Sequence, residues 1–328
     1  MNIGKLPNNL LEKLILNTLE TRRSETVVKP AVGEDCCVLD LGGKLCVIST
    51  DPITAADENA GILAVLVSLN DLAASGAEPV GILTTVLFPP GTNEAQIFDL
   101  FKSINETCAR MNIDVLGGHT EITDTVNKPV IITTAIGKVG EAGLIKSSGA
   151  REGDSILITK AIGLEGTSII ASDKKQEISK ILSADEILTA RSFIKEISVL
   201  EEGLFAARNG ASSMHDITEG GVLGAVWEVC RASCKGAEIK LDDIPVRNET
   251  SKICSYYKID PYRLISSGSM LITCASDDRD RITDGIKDMG ITCTEIGIIT
   301  PGDEIYYYQD GAKHLLGQPE SDELYKVI

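Results

Sequence analysis

Phe, Trp and Tyr make up only 4% of the chain, and Lys plus Arg (31) fall well short of Asp plus Glu (48). The first shortage leaves little material for base-stacking platforms. The second gives a formal net charge of −17, the wrong sign for neutralising phosphates along DNA, RNA or an anionic membrane. Long apolar runs are missing too; the run at 62–69 is far too short to span a bilayer. No C-x-x-C pair and no secretory hydrophobic region accompany the nine cysteines, an odd number. Reduced, mostly buried thiols in a cytoplasmic protein are expected. Cys230 and Cys234 are spaced to share a helix face, but no second pair completes a zinc set. Also absent are the P-loop, the G-x-S-x-G elbow, H-E-x-x-H and the kinase motifs. Gly163 and Gly166 lack the third glycine of a dinucleotide fingerprint.

What is present is a folded chain of 328 residues, 43% hydrophobic and without low-complexity tracts, long enough for two domains. Apolar spacing predicts helices over 8–20, 57–74 and 92–111, the last with Thr92 or Asn93 as N-cap. A hairpin over 38–41 and 44–50 turns at Gly42-Gly43, and strands fit 79–88, 113–116 and 129–139. The polar turn at 149–154 marks the expected domain boundary, giving domains 1–150 and 151–328. Residues 1–150 hold 11 basic and 18 acidic side chains and residues 151–328 hold 20 and 30, so neither half is a basic arm. The second half adds a strand at 155–159, helices near 185–200 and 220–234, and a βαβ-like unit from strands at 270–274 and 292–299 around a helix at 277–289. The expected class is α/β, a mixed-sheet first domain followed by an α/β sandwich.

Acidic residues recur where strands end or inside an apolar helix: Glu34-Asp35, Asp51, Asn70-Asp71 and His215-Asp216. Asp35 and Asp51 flank the open ends of the hairpin and are placed to face one site. Asp71 follows eight apolar or small residues of one helix, where an unpaired carboxylate is costly. Two of the three histidines stand beside Gly and Thr in what read as turns, His119 in Gly117-Gly118-His119-Thr120 and His215 before Asp216. Any one Asp alone reads as a cap or turn residue. Together with glycines whose backbone can approach a phosphate, the set points to a metal–nucleotide site.

Six segments in order carry a resemblance. They are Gly33-Glu34-Asp35; Ser49-Thr50-Asp51; the stretch 68–77 around Asn70-Asp71; Gly117-Gly118-His119-Thr120; 146–154 from Lys146; and Met214-His215-Asp216-Ile217-Thr218-Glu219-Gly220-Gly221. With these the chain resembles the PurM-like (AIR synthase-related) superfamily. That superfamily includes thiamine-monophosphate kinase, selenophosphate synthetase and the hydrogenase maturation factor HypE, and the 214–221 segment is most similar to HypE. The resemblance implies a two-domain ATP-binding protein that dimerises through its N-terminal sheets, which form a shared barrel. It implies Mg²⁺ held by Asp35, Asp51 and Asp71, and nucleotide contacts from Asn70, Gly117, Gly118, His119, Thr120 and Thr218. Lys146 would be a phosphate contact, and Asp216 a metal ligand or catalytic carboxylate. The implied reaction is phosphoryl transfer activating an amide or phosphate-type acceptor.

Three departures qualify what carries over. The chain ends Leu324-Tyr325-Lys326-Val327-Ile328, without the terminal carrier cysteine of HypE. His119 stands where several relatives place Asp, and Glu219 where HypE has Arg. Three functional readings follow: a small-molecule kinase of the thiamine-monophosphate type, a maturation enzyme acting on a partner's thiol, or a nucleotide-binding accessory protein without turnover.

Overall fold

Gly42 and Gly43, both at positive φ, turn the chain between two short strands that pair in register, and the first sheet grows from this hairpin. The computed structural model describes residues 4–54, 59–319 and 321–328. After α1 (Asn8–Leu14), strands β1 (Thr26–Val28), β2 (Cys37–Asp40) and β3 (Leu45–Ile53) lead into α2 (Ala60–Ala74). Then come β4 (Ala77–Phe88), α3 (Glu94–Arg110), β5 (Asp114–Ile122) and β6 (Val130–Val139). The sheet order is β1-β2-β3-β6-β4-β5, antiparallel except for the parallel β4–β5 edge. Asn93 caps α3 through a reciprocal bond with Gln96. Helices α2 and α3 cover one face, where Val65, Leu69 and Leu72 meet Val47, Ile82 and Ala135.

The second half contains β7 (Ser155–Thr159), α4 (Leu164–Asp173), α5 (Lys175–Ile178), α6 (Ala184–Ser192), α7 (Leu200–Arg208), β8 (Ala211–Asp216) and α8 (Gly221–Ser233). It continues with β9 (Gly236–Lys240), α9 (Asn248–Tyr257), β10 (Met270–Cys274), α10 (Ser276–Asp288), β11 (Cys293–Thr300), β12 (Ile305–Gln309) and β13 (Ala312–Leu315). The sheet order is β13-β12-β9-β11-β7-β10-β8. Alternation along β7 sends Ile156 and Ile158 toward α8, and Leu157 toward α7 and α10. Helices therefore cover both faces, and central strands β7 and β10 are buried throughout. No helix among the described residues is long and apolar enough to cross a membrane.

Five sequence expectations need correcting. The strand expected at 113–116 runs on to Ile122, so Gly117, Gly118, His119 and Thr120 lie in the edge strand β5 and not in a turn. A bulge at Leu116 resets the register, and a side chain at Gly118 would strike the Thr84 carbonyl; glycine lets β5 stay on the ladder. The N-terminal helix stops at Leu14, with only a 3₁₀ turn after it, and α2 is described from Ala60, so Asp57 lies outside the described residues. Cys234 is the left-handed C-cap of α8 and shares no helix face with Cys230. The βαβ-like unit is split, because β7 inserts between β10 and β11, antiparallel to both.

The helix expected at 185–200 is broken into α6, a 3₁₀ turn and α7. The cause lies far away in sequence. Asn70 of α2 donates to the Ile197 carbonyl (2.9 Å) and accepts from Val199 N–H (3.0 Å), fixing the break and tying the two halves together. Leu63 and Leu66 of α2 extend the same joint into the core formed by α4 and α6. Asn70→Ala leaves two buried backbone groups without partners and is expected to cost about 2–4 kcal/mol; an unchanged urea midpoint would exclude this clamp.

Candidate functional site

Four of the sequence-derived acids come together where α2 meets β3 and the end of β8. Ser49 on β3 is the junction: its Oγ donates to the Asp71 carboxylate on α2, lies 3.5 Å from Asp51 Oδ2, and reaches the Asp35 carbonyl at 3.3 Å. Asp35 follows the Gly33 turn, which packs against the Glu228 backbone of α8; a side chain at Gly33 would press on that carbonyl. Asp216 ends β8, fully buried, where β8 pairs with β10.

The electrostatics follow from crowding. Burial, then Asp216 and Asp51, push the Asp71 carboxyl well above the ordinary carboxylate range. Burial and the charge of Asp35 push Asp216 up to about 7. Asp51 is raised by burial as well. Both carboxylate oxygens of Asp216 are buried without a hydrogen-bond partner among the described residues. Buried acceptors crowded in this way are relieved by a bound cation or by taking up protons. The donor set is hard oxygen, the chemistry of Mg²⁺; among the described residues Asp35 and Asp216, with His215, bring ligating atoms within 4.8 Å of one another, and Asp51 and Asp71 stand beside that group.

A counter-charge stands behind the acids. His215 donates from Nδ1 to the Asp216 carbonyl at 2.7 Å, and its Nε2 lies 3.4 Å from Asp35 and 3.3 Å from Glu228. Nε2 is out of hydrogen-bond alignment with both carboxylates, so the attraction is of charge more than of a directed bond. Burial opposes the positive charge, but Asp35 and Glu228 outweigh it and hold the ring up at about 10. Burial likewise opposes the Glu228 charge, and His215 with Lys5 pulls that carboxyl down to about 2. Asn8 (3.4 Å) and the exposed Lys5 (3.7 Å) complete the Glu228 shell. His215 lies within ligand range of Asp35 and Asp216. In the metal-free fold the ring is held protonated and acts as an internal cation.

The other residues singled out in the sequence fall elsewhere. Gly117, Gly118, His119 and Thr120 are exposed on β5, and His119 pairs with Glu121 at 3.4 Å. The strand register puts Gly118 in the row of Asp51, Thr133 and Thr84, three strands across, roughly 14 Å from the acids. Buried Thr84 and Thr133 stand between. Asn70 is spent on the 197–199 clamp. Thr218 is half-buried in the loop after Asp216. Lys146 is exposed at the start of a turn fastened to Ser213 and to Glu34, beside both Asp35 and β8. The sequence reading gave no role to Ser49, Glu228 or Lys5. Glu228 had the same signal as Asp71, an acid inside an apolar helix.

Comparison with known proteins puts this geometry in context. Residues 33–139 match the N-terminal domain of AIR synthase related proteins, and residues 151–309 match the C-terminal domain. A putative hydrogenase expression/formation protein of Methanocaldococcus jannaschii is 29% identical over 308 residues, 90% of this chain and 88% of that protein. Thiamine-monophosphate kinase of Buchnera aphidicola is 26% identical over 83% of this chain and 85% of its own. The crystal structure of the hydrogenase maturation protein HypE in complex with ATP superimposes with a TM-score of 0.71 at 18% identity, covering 98% of this chain and 96% of the other. The expected two-domain PurM-like fold is thus found, with a mixed-sheet first domain and a second sheet between helices. The chain belongs to the AIR synthase-related protein family.

Proposed function

We propose that the protein binds Mg-ATP at Asp35, Asp51, Asp71 and Asp216 and transfers a phosphoryl group to an amide or phosphate-type acceptor. The observation that carries this reading is the Asp216 carboxylate, buried beside three further acids with both oxygens unpartnered among the described residues. That a HypE of the same fold has been crystallised with ATP supports the choice of nucleotide. Mg²⁺ held by the acids would neutralise triphosphate charge, which is the chemistry it supplies.

The remaining roles belong to the chain itself. His215 fixes Asp35 and Asp216 from behind by charge and by its 2.7 Å bond. In transfer, an acceptor oxygen bonds to the γ-phosphorus, the bond from phosphorus to the ADP oxygen breaks, and ADP leaves. The proton an amide-type acceptor gives up leaves with the phosphate or to solvent, and Asp216 serves this reading as a ligand of the metal. Lys146 at the rim offers positive charge to the phosphates, and Thr218 a hydroxyl from the following loop.

In this reading two copies associate through their first domains. Leu83 on β4 and Val115, Leu116 and Ile122 on β5, whose outer edge has no partner strand among the described residues, are exposed, a surface that single soluble domains avoid. Gly117, Gly118, His119 and Thr120 stand on that face, and their contact with nucleotide is made across it.

A kinase of the thiamine-monophosphate type and hydrogenase maturation are both compatible with the relatives. The maturation reading is put first because the longer and stronger likeness is to a hydrogenase expression/formation protein. Mg-ATP at a hundredfold above its Kd is expected to stabilise the fold by about 2.7 kcal/mol, seen as a raised Tm. No shift at millimolar Mg-ATP would falsify nucleotide binding, and binding without phosphate release on any acceptor would leave an accessory protein.

A further inference from the structure

A second group of acids stands apart from the first, under the C-terminal segment. Asp322 accepts from the backbone N–H groups of Gly220 (2.7 Å), Ile265 (3.2 Å) and Leu324 (2.8 Å), which pins 322–324 onto the second domain. Tyr325 then donates to Glu219 at 2.5 Å. These contacts form one wall of a cavity of about 80 Å³ against Pro52, Ile53 and Thr54 at the end of β3. Its polar lining is dominated by Glu165, Glu219 and Asp322, with no Lys, Arg or His among the described lining residues.

Glu165 is the unexplained member. It sits in the first turn of α4, is 4% exposed, lines the cavity, and its Oε2 has no hydrogen-bond partner among the described residues. Beside it stands the buried Ser267, whose hydroxyl and backbone N–H favour the charged carboxyl, though the hydroxyl makes no well-aligned hydrogen bond among the described residues and Glu165 Oε2 stays unpartnered. Burial lifts Glu165 to about 7 and Asp322 to about 6, as expected of carboxyls enclosed without a counter-charge. Such groups are retained at a cost unless something fills the space.

The spacing says what kind of cation fits. Among the described residues only Asp35, His215 and Asp216 bring ligating atoms within 4.8 Å of one another. Glu165, Glu219 and Asp322 are therefore too widely spread to converge on one bare ion. A group with several divergent N–H donors, an ammonium or a guanidinium, meets Glu165 and Glu219 together while Asp322 adds charge. The cavity is continuous in sequence with the first site at two places: Asp51 leads into Pro52-Ile53-Thr54, and Asp216 leads through Thr218 to Glu219.

We propose that this cavity binds the ammonium or guanidinium group of an organic ligand, and that the ligand is the acceptor for the neighbouring phosphoryl-transfer site. The acceptor half rests on the function proposed above; the cation-binding half stands by itself. The test titrates the full chain with methylguanidinium and ethanolammonium, and with neutral acetamide as control, by ligand-observed NMR. Both cations are expected to bind and acetamide not to, with Glu165→Gln weakening the cations about tenfold. Should Glu165→Gln fail to fold, Glu219→Gln is read in the same way. Absence of cation binding, or equal binding by wild type and variant, overturns the inference. Mg-ATP is titrated in parallel: a chain that binds Mg-ATP but no cation loses only this inference. One that binds the cations but not Mg-ATP loses the phosphoryl-transfer reading and the acceptor half with it.

Discussion

Asp71→Asn is expected to act in opposite directions on stability and on nucleotide binding. Without metal, the wild-type protein holds a carboxyl wholly inside the fold, raised far above its normal range by burial and by Asp216 and Asp51. As pH rises past the ordinary carboxylate value of 3.8 the unfolded chain ionises freely while the folded state must either keep the proton or bear the charge, so the fold loses stability relative to the unfolded chain. Asparagine keeps the shape and a partner for Ser49 while removing the repulsion, so the metal-free Tm at neutral pH should rise by about 2–4 °C. The same change takes one hard oxygen ligand from the cluster, and Mg-ATP affinity should fall by roughly a hundredfold. Calorimetric melting with EDTA and with Mg-ATP reads both effects. A variant that is less stable in EDTA and binds Mg-ATP as well as wild type would show that Asp71 is a structural hydrogen-bond acceptor and nothing more.

His215→Ala should be the most damaging single change. It removes the internal cation facing Asp35 and Glu228 and leaves Glu228 buried with only Asn8 and Lys5 beside it. Breaking a buried pair on one side costs about 3–5 kcal/mol. The pH dependence has a definite sign. His215 is raised from 6.5 to about 10, so its contribution is complete below pH 6.5 and is lost as pH climbs to 10. Glu228 is lowered from 4.5 to about 2, so its contribution is complete above pH 4.5 and is lost as pH drops to 2. Asp216, raised from 3.8 to about 7, costs stability progressively between those values. Wild type should therefore lose stability from pH 7 to 10 in EDTA, whereas the variant should show no such decline from this source. A parallel fall in both proteins between pH 7 and 10 would mean that His215 is neutral in the fold.

Much of the architecture was legible because local chemistry and tertiary structure agree. Asn93 with Gln96, Gly42-Gly43 and the apolar stretch before Asp71 name their elements directly. Legibility failed where a distant residue decides. Helix pattern continues through 193–199, yet Asn70 takes both backbone groups there, and 127 residues separate donor from acceptor. Gly117-Gly118 has turn composition, yet a parallel partner strand and a bulge keep it extended. Ser49 stood in one of the resembling segments but carried no role, since a serine in a strand is ordinary until an aspartate of another element lies against it.

The site shows the same division. Which residues carry negative charge, and that an excess of them must avoid polyanions, was settled by composition alone. That Asp35, Asp51 and Asp71 deserved suspicion followed from where carboxylates are costly, a matter of local sequence. Only the packing of α2, β3 and β8 on one another decided that these acids share an enclosure with Asp216, and that His215 and Glu228 stand behind them as a charged pair. The reason is physical: Coulomb energies depend on distance and on the exclusion of water, and neither quantity exists until the chain has folded.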